Sequence, residues 1–178
     1  LLAHLETIEV GEHVLKAPFR FPVQWVNRPN LDFRGYSGTV ASGSVSVGDE
    51  LVVAGSAKIS KVKSIIGSDG ETSAARAGEA VTITLEDEID ISRGDLLSSM
   101  AHRPEVADQL AAHVIWMSDE LLLPGRPYLL KIGTRTVTAT VSRIKHKINV
   151  NTFEHVAGRT LELNEIAFCN FALSSPVP

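Results

Sequence analysis

Short apolar-alternating segments recur along this chain at roughly 8–12-residue intervals, and no helix-length stretch separates them. The clearest is Val81, Ile83 and Leu85 set against Thr82, Thr84 and Glu86. A period of two buries one face of a strand and wets the other. Similar segments lie at 23–27, 36–47, 51–54 and 59–66, with turn signals at Arg28-Pro29-Asn30, Gly48-Asp49 and Ser68-Asp69-Gly70 between them. Proline fixes its own φ and moves Arg28 out of the α region, so the first of these turns is sharply specified. Pro18 and Pro22 bracket an extended entry into the first strand. The spacing argues against βαβ units and predicts an all-β chain, built as a closed barrel or sandwich.

The pattern divides in two. Residues 101–108 contain His102-Arg103-Pro104 and read as a link. Beyond it come an apolar strand at 110–117, a proline- and glycine-rich loop at 121–128, and a hairpin of 129–132 with 135–150 turning at Gly133-Thr134. In the long strand Val137, Ala139 and Val141 are odd-numbered, whereas Ile144, Ile148 and Val150 are even-numbered. That parity switch predicts a bulge or corner near Ser142-Arg143. The last strands are expected between 160 and 173. The opening Leu1-Leu2-Ala3-His4-Leu5-Glu6 has apolar residues at helical spacing and reads as the tail of an upstream helix. The expected division is thus 1–16 as helix end and linker, 17–100 as a first barrel and 101–178 as a second.

Charge sorts the candidate partners. The formal net charge is −4, but residues 1–100 carry 9 basic and 14 acidic side chains, while 101–178 carry 8 and 7. An acidic first half is a poor grip for phosphodiester backbones, so nucleic acid is not an expected partner. No apolar run approaches the roughly 20 residues of a bilayer span, and no signal-peptide pattern opens the chain, so no membrane is expected either. Cys169 is the only cysteine and cannot form an internal disulfide; among Ile166, Phe168 and Phe171 it reads as core packing in a reducing, cytoplasmic compartment.

Chemical motifs are scarce. No glycine precedes a lysine, so GxxxxGK[ST] is absent, and no asparagine precedes a lysine, so Asn-Lys-x-Asp is absent too. There is no HxxxH, CxxC or GxSxG; the histidines at 4, 13, 102, 113, 146 and 155 read as structural or surface groups. Glu86-Asp87-Glu88 and Asp90 offer four carboxylates to a hard cation, but a solvated turn is the simpler reading. Arg93-Gly94-Asp95 reads as a turn before Leu96-Leu97. Arg135, Arg143, Lys145 and Lys147 make the second half locally basic, with RNA, a partner protein or solvent left open and solvent the default. No catalytic, cofactor-binding or metal-binding residue is assigned.

Two strings carry a family resemblance: Arg20-Phe21-Pro22-Val23-Gln24 running on to Arg28-Pro29-Asn30-Leu31-Asp32-Phe33-Arg34-Gly35, and Glu86-Asp87-Glu88-Ile89-Asp90-Ile91-Ser92-Arg93-Gly94-Asp95. Together with Val114-Ile115-Trp116-Met117, Pro124-Gly125-Arg126-Pro127-Tyr128 and Leu163-Asn164-Glu165-Ile166, they resemble the GTPase subunit of sulfate adenylyltransferase, in the elongation-factor-like superfamily. The resemblance covers nearly the whole chain and implies two consecutive β-barrels, the second truncated at its C-terminus. It implies that GTP and Mg²⁺ bind an upstream GTPase domain, with no cofactor in this segment. That domain and a separate catalytic subunit are the implied partners; an adenylyl-sulfate kinase domain follows the barrels in some members. The implied activity couples GTP hydrolysis to formation of adenylyl sulfate from ATP and sulfate. Barrels that hold aminoacyl-tRNA in a translation factor, or an unrelated all-β binding module, are the alternatives. A truncated second barrel would leave an unpaired edge, so self-association is also expected.

Overall fold

The computed structural model describes residues 12–30 and 32–178. The helix read at the very start of the chain lies outside the described residues; a short helix, α1 (Glu12–Lys16), precedes the first strand. The chain splits into two compact units, with the break between Glu105 and Val106; Gly133–Arg135 and Pro178 group with the first.

In the first unit the strands are β1 (Arg20–Asn27), β2 (Gly35–Thr39), β3 (Ser44–Ser46), β4 (Glu50–Val53), β5 (Ile59–Gly67), β6 (Gly70–Thr72), β7 (Ala74–Arg76), β8 (Ala80–Leu85) and β9 (Leu96–Ser99). The order β4-β9-β1-β2-β8-β5 closes because β4 also pairs with β5, with β6 extending from β5 and β3 pairing with β7. All the pairings are antiparallel. Closure leaves the six ring strands without a free edge. Inward positions bury Phe21, Val23, Tyr36, Leu51, Ile65, Ile83 and Leu97, with Phe19 stacked on Phe21. Their side chains fill the ring, which is a packed core.

Two details differ from the sequence reading. Strand β1 starts at Arg20, three residues early, with Pro22 inside it. The proline stands where β1 changes partner: Arg20–Pro22 pair with β9, whereas the β2 ladder begins at Val23. A missing N–H is tolerated at such a switch better than within one ladder. The strand expected over 36–47 is two strands, β2 and β3, because the chain turns at Gly43, whose φ is +68°. In β5 the burial parity shifts between Val62 and Ile65, at a register shift against β8.

At the end of the first unit, Met100–His102 form a 3₁₀ turn, and Arg103 donates from Nε and Nη2 to the Ala54 carbonyl at 3.2 and 2.8 Å.

The second unit holds β10 (Ala107–Ile115), β11 (Pro127–Ile132), β12 (Arg135–Ile148), β13 (His155–Val156) and β14 (Ile166–Val177), in the order β10-β14-β12-β11 with β13 on β12. The β12 register against β14 shifts between Val141 and Arg143, where the parity switch predicts a bulge, and again between Ile144 and His146. Leu122 and Leu161 form an isolated bridge and close the core over Val141, Ile144, Ala167 and Cys169. The strand expected to end near 173 runs to Val177 and is central, bonded to β10 on one side and β12 on the other. Among the described ladders the outer strands are β10, β11 and the short β13. A return connection, 149–165, carries the chain into the middle of the sheet. No helix among the described residues is long and apolar enough to cross a membrane.

Candidate functional site

The Arg28–Gly35 string leads into β2, and the Glu86–Asp95 string leaves β8. Because β2 and β8 are antiparallel with Gly35 opposite Thr84, the start of one and the end of the other lie together. Two strings more than 50 residues apart thus meet at one end of the first barrel. Asp32, Arg34, Lys63, Glu71, Glu86 and Glu88 are among the residues lining the cleft between them, whose volume is about 340 Å³.

Arg34 organises this end. Its Nη2 lies 3.9 Å from Asp90 Oδ1, while Lys58 Nζ approaches Asp90 Oδ2 at 3.6 Å. The guanidinium carbon sits 5.8 Å from the centre of the Tyr36 ring. Tyr36, almost wholly buried, donates its hydroxyl to the Ile89 carbonyl at 3.1 Å and so fixes the acidic loop from beneath. Burial pushes the Tyr36 hydroxyl up; Arg34 opposes this, and Glu88 and Asp90 reinforce it. Gly35 is dictated by crowding: a Cβ there would lie 2.5 Å from the Thr82 methyl and 2.8 Å from the Phe33 ring.

The four carboxylates do not converge. Asp87 accepts from Ser60 Oγ at 2.8 Å while its own N–H donates back to that hydroxyl at 3.1 Å; Asp90 faces Arg34 and Lys58. Glu86 and Glu88 are exposed. Asp95 Oδ2 accepts from the Ser92 N–H at 2.8 Å and Gly94 has φ +98°, so Arg93-Gly94-Asp95 is a turn. Among the described residues no group of three or more His, Cys, Asp or Glu is placed to hold a metal ion. The cleft presents fixed charge of both signs, a surface suited to recognition.

In the second unit Cys169 is fully buried, and burial pushes its thiol up. The basic cluster does not form one patch. Lys147 pairs with Glu165, Lys145 Nζ lies 4.9 Å from the centre of the Phe168 ring, Arg143 is exposed on β12, and Arg135 begins that strand. Sequence reasoning missed the Lys147–Glu165 pair and the contacts of His113, His146 and His155 around Phe168. The three histidines and Phe168 sit on four strands, β10, β12, β13 and β14, and no local stretch of sequence brings them together.

Partial burial acts to raise the Glu165 pKa, but the Lys147 ammonium and the Glu162 N–H hold the carboxyl below its ordinary value. A depressed folded-state pKa contributes stability above the unfolded-state value and loses it as pH falls through the folded one. Glu165→Gln should therefore destabilise the second unit by about 1 kcal/mol at neutral pH. The difference should shrink as pH falls below the ordinary carboxylate range and vanish once the folded-state carboxyl is protonated, which urea titrations at several pH values will read.

Residues 109–178 match the family described as GTP-eEF1A C-terminal domain-like. Among solved structures, translation elongation factor SelB of Methanococcus maripaludis in its apo form superposes with TM-score 0.75 at 26% identity, over 99% of this chain and 39% of that one. The GDP complex of sup35, at 18% identity and TM-score 0.83, shares the fold over 99% of this chain and 44% of its own. Sulfate adenylyltransferase subunit 1 of Aeromonas hydrophila is 48% identical over 177 residues, which are 99% of this chain and 37% of that protein. This chain is a homologue of part of sulfate adenylyltransferase subunit 1. The bifunctional enzyme NodQ of Rhizobium sp. (strain N33) is 55% identical over 99% of this chain and 27% of its own length. The bifunctional enzyme CysN/CysC of Xylella fastidiosa is 50% identical over 99% and 28%. The chain thus spans well under half of the curated relatives it matches, and corresponds to an all-β, elongation-factor-like region of this subunit.

Proposed function

We propose that this chain is the non-catalytic β-barrel portion of a GTP-hydrolysing subunit of sulfate adenylyltransferase, which couples that hydrolysis to formation of adenylyl sulfate from ATP and sulfate. The observation that carries the reading is the 48% identity to sulfate adenylyltransferase subunit 1 across 99% of the chain. The meeting of the Arg34 and Asp90 strings at one end of the first barrel supports it, since these are the strings that carry the family resemblance. The barrels carry contacts to the upstream GTPase domain and to a separate catalytic subunit, in a reducing, cytoplasmic setting. GTP and Mg²⁺ belong to the upstream domain: phosphate binding needs convergent backbone N–H groups and a lysine from a glycine loop. Calorimetry with GTP and Mg²⁺ should show no heat of binding to residues 1–178, while a chain that includes the upstream domain binds. Micromolar GTP binding by residues 1–178 would overturn the reading.

A second reading rests on the SelB likeness: barrels that hold aminoacyl-tRNA in a translation factor. The acidic balance of residues 1–100 weighs against it. Salt-dependent retention of aminoacyl-tRNA at physiological ionic strength would favour it.

A further inference from the structure

The face of the second sheet opposite its core has a composition of its own. Register pairs Ile115 on β10 with Ile166 on β14, and Ile166 with Ile148 on β12, giving one aliphatic row. The next row is His113, Phe168 and His146, and the one after it is Ala111, Asn170 and Arg143. Directly opposed residues share a face, and the rings bear this out. His113 and His146 lie 4.8 and 5.8 Å from Phe168, and His155 of β13 stacks on His146 at 3.7 Å. Ile115 is 63% exposed, and His113, Arg143, Lys145 and His155 are exposed as well.

Charge on this face has one sign. Arg143 and Lys145 are the permanent cations of these rows, His113 and His146 stand between Arg143 and the aliphatic row, His155 lies opposite Ile148 at the end of that row, and no aspartate or glutamate occupies any of these positions. Glu165, next to Ile166, pairs with Lys147, and Glu154, next to His155, accepts from Thr152. A hydrophobic centre rimmed by charge is the anatomy of a protein interface. Two such faces from two copies would oppose like charges, which disfavours a symmetric dimer through it. Two permanent cations are few for a nucleic-acid backbone.

We propose that this face docks an acidic protein surface with an apolar centre, borne by the separate catalytic subunit, an occupant that rests on the sulfate adenylyltransferase reading. Docking is then linked to protons. Burial, His155, His113 and Lys145 all hold His146 below its ordinary pKa in the free protein. Carboxylates brought by the partner raise it, so the complex takes up protons and tightens as pH falls.

The experiment measures affinity between the full-length subunit and the purified catalytic subunit by calorimetry, at about pH 7.5 and about pH 6. Arg143→Glu with Lys145→Glu should weaken binding by about tenfold or more while melting temperature is unchanged. Replacing His113, His146 and His155 by Gln should preserve the affinity at the higher pH and abolish its increase at the lower one. Undiminished binding by the charge-reversed protein overturns the docking face and leaves the functional reading intact. No binding by the wild-type protein overturns both. Displacement of the catalytic subunit by a single-stranded RNA of about 20 nucleotides reassigns the face to nucleic acid and overturns the proposal. So does failure of a histidine-acylating reagent to reach the exposed His113 and His155 in the full-length subunit alone, since its own upstream domain would then cover the face.

Discussion

Gly43→Ala should cost the first barrel about 3 kcal/mol, one of the two largest losses expected from a single substitution in this chain. Two effects add. Gly43 sits at φ +68°, where a Cβ crowds the chain's own carbonyl at roughly 1–2 kcal/mol. A Cβ built there would also lie 2.6 Å from the Ala17 carbonyl oxygen and 2.7 Å from the Phe19 nitrogen. Both are backbone atoms, so no rotamer change relieves the overlap. The residue further ties the segments around it: its N–H donates to the Val14 carbonyl at 2.8 Å and its carbonyl accepts from the Ala77 N–H at 2.9 Å. Urea denaturation followed by Trp25 fluorescence should report the loss, with the slope unchanged. A loss under about 1 kcal/mol would mean that the approach to Ala17 and Phe19 is wrong.

Leu161→Ala should destabilise the second unit by about 2–5 kcal/mol. Leu161 is fully buried, bridges Leu122 and packs in a core whose other buried members are Val141, Ile144, Ala167 and Cys169. A core of six buried side chains has few neighbours able to collapse into the space, so the cavity term stays large. The loss should be local. Amide exchange should accelerate through β10, β12 and β14 while β1, β2 and β8 keep their protection. Equal acceleration in both units would show that they unfold as one cooperative body.

Legibility followed locality. The wet–dry alternation of Val81 to Leu85 and the turn signals at Gly48 and Gly70 are properties of adjacent residues, and β4, β5 and β8 were found from them. The bulge near Ser142 and Arg143 was legible for the same reason, since a change of parity in one strand is visible without its partner. Strand β9 was not: Leu96-Leu97-Ser98-Ser99 has no alternation, and it is a strand because β1 and β4 take it between them. At the candidate site both charged strings were visible, but their meeting was not. Nothing within either says that β2 pairs with β8, which brings Arg34 to Asp90 and Tyr36 to Ile89.

The sequence alone thus determined an all-β chain, a buried Cys169, and a family resemblance carried by particular strings, because composition, period and motif are encoded residue by residue. Only the tertiary structure decided that the last strand is central, that Lys147 is taken by Glu165, and that His113, His146 and His155 gather around Phe168. Those facts depend on which strands pair and in what register. Pairing is set by the best burial available to the whole sheet, across connections tens of residues long, and no local window contains that competition.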